Sequence, residues 1–155
     1  YGKDAPRTVK NFVGLINRGF YDGIVFHRVV PGFVIQAGDP KTKDEAMRAQ
    51  WGMGGESIYG KEFEDELNPK APSYHRGYVE GALAMDNRGP NTNTSQFFIM
   101  LAEGPLPKQY TIFGKVTKGM EIVHAIEKTE LVGSVPRTPV VIKGVETATV
   151  ETSGK

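Results

Sequence analysis

The sequence predicts a mainly β domain, a closed antiparallel barrel capped at its ends by two helices. Three observations carry that prediction. Short runs rich in Val, Ile and Phe outnumber helical patterns, and the two helical patterns lie far apart in the chain. Nineteen glycines and ten prolines are spread through 155 residues with no low-complexity block to hold them. That content is well above the roughly 12% of an average globular chain and reads as many tight turns between short strands.

Taken in order, Asp4 is placed to N-cap the first helix, and Pro6 follows where its missing N–H costs little. Val9, Phe12, Val13 and Ile16 recur at helical spacing, and Gly19 ends the run. Residues 24–30 and 33–37 form the opening strands. Residues 40–59 make a long, mostly polar connection containing Trp51, and a loop of that length in a compact domain is usually functional or wraps another element. Residues 81–85, 96–101 and 110–116 read as further strands. Residues 119–127, with Met120, Ile122, Val123 and Ile126 apolar, form the second helix, and residues 139–145 close the sheet.

Composition narrows the function. The length fits one domain with a real core. The formal net charge is +1, from 19 basic against 18 acidic residues, and no basic run stands out. Nucleic acid and acidic membrane surfaces are therefore not expected partners. There is no cysteine, which removes disulfides, thiol nucleophiles and thiolate metal sites and fits a cytoplasmic location. No apolar run reaches the roughly 18 residues of a membrane span. The chain opens at Tyr1 rather than at Met, which leaves room for a preceding segment.

One hairpin concentrates the chemistry. Phe26-His27-Arg28-Val29-Val30-Pro31-Gly32-Phe33-Val34-Ile35-Gln36-Ala37-Gly38-Asp39 is two apolar strands around a Pro-Gly turn, with Arg28 and Gln36 as costly polar insertions. Either Arg28 snorkels to water from a core hairpin, or the two polar residues build a site. A two-residue loop would pair residue 28 with 35 and put Arg28 and Gln36 on opposite faces. Pro-Gly suits a type II turn, however, which two-residue hairpins avoid. A longer connection shifts the pairing by one and can bring both to one face.

Other motifs are weaker. Gly55-Glu56-Ser57-Ile58-Tyr59-Gly60-Lys61 approaches a phosphate-binding loop, but Glu62 stands where a hydroxyl should hold magnesium, and no apolar strand precedes it. His27, His75 and His124 are widely separated without carboxylates at ligand spacing, so no metal site is expected. His124 reads as structural, and His27 faces away from Arg28. Glu64-Asp65-Glu66 reads as a solvated acidic turn. Asn93-Thr94-Ser95 is a glycosylation sequon by pattern.

The hairpin resembles the signature of the cyclophilins, the cyclosporin-binding family of peptidyl-prolyl isomerases. Gly89-Pro90-Asn91-Thr92-Asn93-Thr94-Ser95-Gln96-Phe97-Phe98-Ile99 resembles the family's second signature, and the likeness runs from about residue 1 to residue 145. It implies an eight-stranded barrel with a helix over each mouth, spanning residues 1–146, and an isomerase that needs no cofactor and acts as a monomer on proline-containing peptides and unfolded protein clients. It further implies Arg28 as the catalytic cation. Phe33, Phe98 and Leu106 form an apolar cup for the proline ring, with Val34 standing in it where a Met is common and Tyr110 at the rim. Gln36 orients Arg28, Gln96 helps hold the peptide, and the Asn87 backbone binds the substrate chain like an added strand. The alternative on the same fold is a non-catalytic proline-peptide binding module.

The departures are informative. Pro105 stands where cyclosporin-sensitive members carry a Trp, which implies weak cyclosporin binding. Tyr110 replaces a frequent pocket His, and residues 105–116 resemble bacterial cyclophilins most. Asp86 and Arg88 flank Asn87 where small residues are usual, so charge on residues preceding the proline is expected to affect turnover. The family's opening hairpin has no counterpart before Tyr1, while residues 147–152 alternate like its usual first strand. Either the chain is an N-terminal truncation and 147–155 an unrelated tail, which is favoured, or that tail supplies a missing strand.

Overall fold

The structure, a computed structural model, describes residues 1–150. The first helix, α1 (Pro6–Asn17), begins on proline as expected, but Asp4 does not cap it. Its N-cap position is Ala5, which offers no side-chain bond. Glu66, from a distant loop, accepts the N–H groups of Arg7 (3.1 Å) and Thr8 (2.9 Å) and the Thr8 hydroxyl (2.8 Å). A carboxylate at the positive end of the helix satisfies donors that would otherwise be orphaned. Asp4 instead accepts the Ser73 N–H at 2.9 Å, at the start of a short helix, α2 (Pro72–Arg76). The acidic turn at 64–66 is thus structural: Glu64 pairs with Arg7, and Asp65 is bound to Asn91 and Asn93.

Helix α1 buries Leu15 and Ile16. Its Phe12 ring stacks among Tyr21, Phe97 and Phe113 with centroids 5.0–5.4 Å away. Besides Thr8, which is bound to Glu66, this face carries one further buried polar residue, Asn11. It is fully buried, donates to the Thr94 carbonyl and accepts the Ile58 N–H, so its burial is compensated.

Five strands form an antiparallel sheet: β1 (Arg28–Val30), β2 (Val34–Ala37), β3 (Ala82–Met85), β4 (Phe97–Met100) and β5 (Ile112–Lys115), in the order β1-β2-β4-β3-β5. With α3 (Met120–Glu127) as the second long helix, the expected mainly β, antiparallel and helix-flanked fold is observed. The strands are shorter than their apolar runs. Residues 24–26 lie outside the main sheet and meet the predicted closing strand through Ile142 N–H to Ile24 O (2.8 Å) and Phe26 N–H to Val140 O (3.0 Å). A small hairpin, β6 (Leu131–Val132) with β7 (Val135–Pro136), lies outside the expected strands; Val29 N–H donates to Ser134 O beside it.

Both faces of the sheet are covered, and strand alternation sorts the side chains between them. Ile35, Phe97 and Ile99 join Leu15, Tyr21 and Phe113 in one core. Val34, Phe98 and Met100 join Ala84 and Ile112 in another, against which Phe33, Leu106 and Tyr110 pack. Phe97 and Phe98 therefore part to opposite faces, as their alternation requires. The second cluster underlies the site.

Residues 40–59 hold two 3-10 turns, Pro40–Lys43 and Glu45–Gln50, and no strand or helix flanks 55–61 in the manner of a nucleotide-binding loop. Asn93 of the sequon is wholly buried, and its amide donates to Phe63 O and Asp65 Oδ1, so the folded chain offers no acceptor there. Residues 147–150 join no strand, although the Thr147 hydroxyl donates to Asn17 Oδ1; the rest of the strand-like tail lies outside the described residues. Among the described residues, no helix is long and apolar enough to cross a membrane.

Candidate active site

The β1–β2 hairpin resolves the register question. Val30 pairs with Val34, so the loop has three residues, Pro31, Gly32 and Phe33. Phe33 N–H donates to Val30 O at 2.9 Å, and Gly32 has φ +75°. That is the backbone of a type II turn, which places glycine where φ is positive. The extra residue makes Arg28 and Gln36 direct partners on one face.

That face opens into a pocket lined by Arg28, Phe33, Val34, Gln36, Asp86, Phe98, Leu106 and Tyr110. Eight of the eleven residues expected at the site thus meet around one cavity. The pocket is apolar on the side of Phe33, Phe98, Leu106 and Tyr110. Tyr110 meets the Phe98 ring edge-to-face at 5.6 Å, a preferred aromatic geometry. Arg28 is exposed at the mouth, whereas Val34, Gln36 and Phe98 are buried.

A chain of amides holds Arg28. Its Nη1 donates to Gln36 Oε1 at 3.2 Å, Gln36 Nε2 donates to Gln96 Oε1 at 3.0 Å and Asp86 Oδ2 at 3.1 Å, and Gln96 Nε2 donates to Gly52 O and Gly54 O. Chemistry fixes the direction of this chain. The two glycine carbonyls only accept, so Gln96 must turn its NH₂ to them and its oxygen to Gln36. Gln36 must then present nitrogen to Gln96 and oxygen to Arg28. Gln96 therefore sits behind the pocket wall and supports it without lining the cavity.

The long 40–59 connection anchors that relay, a role its length signalled without naming the residues. Buried Asp39 accepts from Gly52 N–H (2.7 Å), Gly54 N–H (3.1 Å) and Lys41 N–H (2.9 Å). A Cβ at Gly54 would collide with the Asp39 carboxylate, so glycine is required for the close approach. Beneath this loop, His27 is buried with Nδ1 unpartnered, away from the pocket as expected. Desolvation lowers its pKa, which Asp39 opposes.

Two expected residues point elsewhere. Arg88 is exposed and donates Nη2 to Met53 O at 2.7 Å, bordering a second, more polar cavity with Lys61, Glu62 and Thr94. Asn87 donates its side-chain amide to Gln109 O at 2.9 Å and borders a third cavity. Asp86 and Arg88 do not pair with each other. Burial raises the Asp86 pKa, against the opposing pull of the Asn87 N–H and of Arg28.

Sequence reasoning missed Tyr78. Its hydroxyl donates to Tyr110 O (2.7 Å) and accepts from Tyr110 N–H (3.1 Å), pinning the rim residue at both backbone groups. Lys108 lies over the Tyr74 and Tyr78 rings at 4.7 and 5.3 Å. The available signal was a tyrosine-rich, glycine-broken segment just before a strand, which specifies no partner.

Comparison with known proteins agrees with this geometry. Residues 1–147 match the cyclophilin type peptidyl-prolyl cis-trans isomerase/CLD family. The chain is 50% identical over 127 residues to peptidyl-prolyl cis-trans isomerase CYP18-2 of Arabidopsis thaliana, covering 81% of this chain and 70% of that one. It is 51% identical over 124 residues to peptidyl-prolyl cis-trans isomerase-like 1 of Rhizopus delemar, covering 79% and 68%. The crystal structure of a Cryptosporidium parvum cyclophilin type isomerase, determined in the presence of the dipeptide Ala-Pro, superposes with TM-score 0.80 at 37% identity, covering 93% of this chain and 86% of that one. These relatives are eukaryotic, and they do not bear out the expected likeness to bacterial cyclophilins. With the family matched along nearly the whole chain and the fold shared, the chain belongs to the cyclophilin-type peptidyl-prolyl cis-trans isomerases.

Proposed function

We propose that the chain accelerates rotation about X–Pro bonds in protein clients, with Arg28 as the catalytic cation. The observation that carries this is the placement of Arg28 at the mouth of an apolar pocket, held there by Gln36. An X–Pro bond resists rotation because the nitrogen lone pair is delocalised into the carbonyl, giving a barrier of about 20 kcal/mol. A proline ring seated among Phe33, Phe98, Leu106 and Tyr110 presents its nitrogen to the guanidinium. As the amide twists, the nitrogen regains its lone pair and accepts an N–H from Arg28. This contact is stronger in the twisted state than in either planar one, so it lowers the barrier. No covalent intermediate is needed.

The flanking residues give the finer reading. The Asn87 backbone receives the peptide as an added strand, and the rim at 105–116 is of the kind bacterial cyclophilins carry. The enzyme works as a cytoplasmic monomer, speeding the slow proline-limited steps of folding clients. A binding module would not need a cation at the proline nitrogen. Exchange of a short proline peptide between cis and trans, followed by NMR with and without the protein, tests the assignment; an unchanged exchange rate overturns it.

A further inference from the structure

The proline pocket has one anionic wall. Asp86 follows β3 with its N–H donated to Gln96 O at 3.0 Å, which fixes its backbone, and its side chain borders the pocket beside Gln36. Its carboxylate accepts from Gln36 Nε2 through Oδ2 at 3.1 Å and feels the Asn87 N–H, and both of these donors are uncharged. No cation lies within ion-pair distance of it among the described residues, and Arg88 is turned away to the Met53 carbonyl.

The geometry of an X–Pro substrate decides what meets this carboxylate. With the ring in the apolar cup and Arg28 at the nitrogen, the other substituent on that nitrogen is the carbonyl of the preceding residue. That residue must therefore lie along the wall of Arg28, Gln36 and Asp86. Arg28 is exposed and committed to the reacting nitrogen and to Gln36, and water screens its charge. Asp86 is half-buried, and its field is screened less. Building on the isomerase assignment above, we propose that Asp86 is a specificity-determining residue that selects substrates with Lys or Arg immediately before the proline over those with Asp or Glu.

The test is a set of three peptides differing only in the residue before proline: Lys, norleucine or Glu. NMR exchange gives kcat/KM without a coupling protease whose own preferences would intrude. The wild-type chain should favour Lys over Glu by about tenfold at low salt, with the ratio shrinking in about 0.5 M salt. Asp86→Asn keeps an acceptor for Gln36 but removes the charge, and its ratio should fall to near one. The ratio within one preparation cancels any change in folded fraction or in overall turnover. A wild-type ratio near one, or a preference unchanged in Asp86→Asn, overturns the proposal. Turnover of the norleucine peptide reports the isomerase reading separately. Activity on it without charge discrimination overturns this inference alone, and a chain inactive on all three overturns both.

Discussion

Arg28 and Gln36 lie directly opposite each other across β1 and β2, with Arg28 Nη1 3.2 Å from Gln36 Oε1. A guanidinium on a flexible stem loses substantial rotamer freedom when it is fixed, and this pairing fixes it in advance of substrate. The orientation of Gln36 is in turn dictated by two carbonyls of the 52–54 loop through Gln96. The pocket thus depends on a loop that does not line it.

Tyr78→Phe tests the same kind of indirect support at the rim. Losing the hydroxyl leaves Tyr110 N–H and C=O without their partner, a cost of about 1–3 kcal/mol for buried groups. Because Tyr110 lines the pocket proposed to seat the proline ring, KM for a proline peptide should rise several-fold while kcat changes little. A KM equal to wild type would show that Tyr78 serves stability alone.

Glu66 should matter to stability and not to catalysis. Glu66→Ala removes the acceptor for two helix N–H groups and the Thr8 hydroxyl. Loss of a cap is worth about 1–2 kcal/mol, or roughly 3–8 °C in Tm for a chain of this size. Glu66→Gln, which keeps one oxygen, should lose less. Calorimetry on both variants checks the order.

These two residues show where the sequence was legible. Strand positions, the two long helices and the partition of Phe97 from Phe98 follow from periodicity, which one segment carries alone. The type II turn was readable too, because Pro31-Gly32 states its own φ preferences, and with it came the Arg28–Gln36 pairing. Glu66 and Tyr78 act on partners 58 and 32 residues away, and no local pattern encodes such a distance. Asp4 had every local mark of a cap, and a better-placed carboxylate from elsewhere took the role. Arg88 was assigned by its place in a motif, which fixes backbone position but not the direction of a long side chain.

His27 should give the protein an acid-sensitive stability. Burial lowers its folded-state pKa, so the native state holds it neutral. Its contribution is intact above the unfolded-state value of about 6.5 and is lost as pH falls through that value toward the lowered native one. His124 has the opposite sign. Hydrogen bonds to Glu80 and Glu127 raise its pKa, so its contribution is intact below about 6.5 and is lost as pH rises through the raised value. Comparing Tm at pH 7.5 and 5.5 in wild type and His27→Gln isolates the first effect. The variant should lose less Tm on acidification, and parallel curves would exclude it.

Cyclosporin should bind weakly. Pro105 is exposed where an indole would supply apolar contact and an N–H donor, together worth about 2–4 kcal/mol, or roughly thirty- to thousandfold in affinity. Titration calorimetry with the drug measures this directly. Submicromolar binding would mean that Leu106 and Tyr110 suffice without the indole.

Arg28 should carry the catalysis. A donor placed for charge that develops in the transition state is worth about 3–4 kcal/mol, so Arg28→Ala should cut turnover roughly a hundred- to thousandfold. Arg28→Lys should also be poor, because an ammonium lacks the planar fork that bonds Gln36 and still faces the proline nitrogen. Phe98→Ala removes part of the cup instead, and should weaken substrate binding together with rate. A purely structural Arg28 predicts a different pattern, in which Arg28→Ala lowers Tm while activity per folded molecule stays near wild type. Its exposure at the pocket mouth argues against that pattern, since an exposed side chain bonded to one amide contributes little to folding. Turnover and Tm measured on the same samples separate the two, and a folded, fully active Arg28→Ala chain would end the assignment of Arg28 as the catalytic cation.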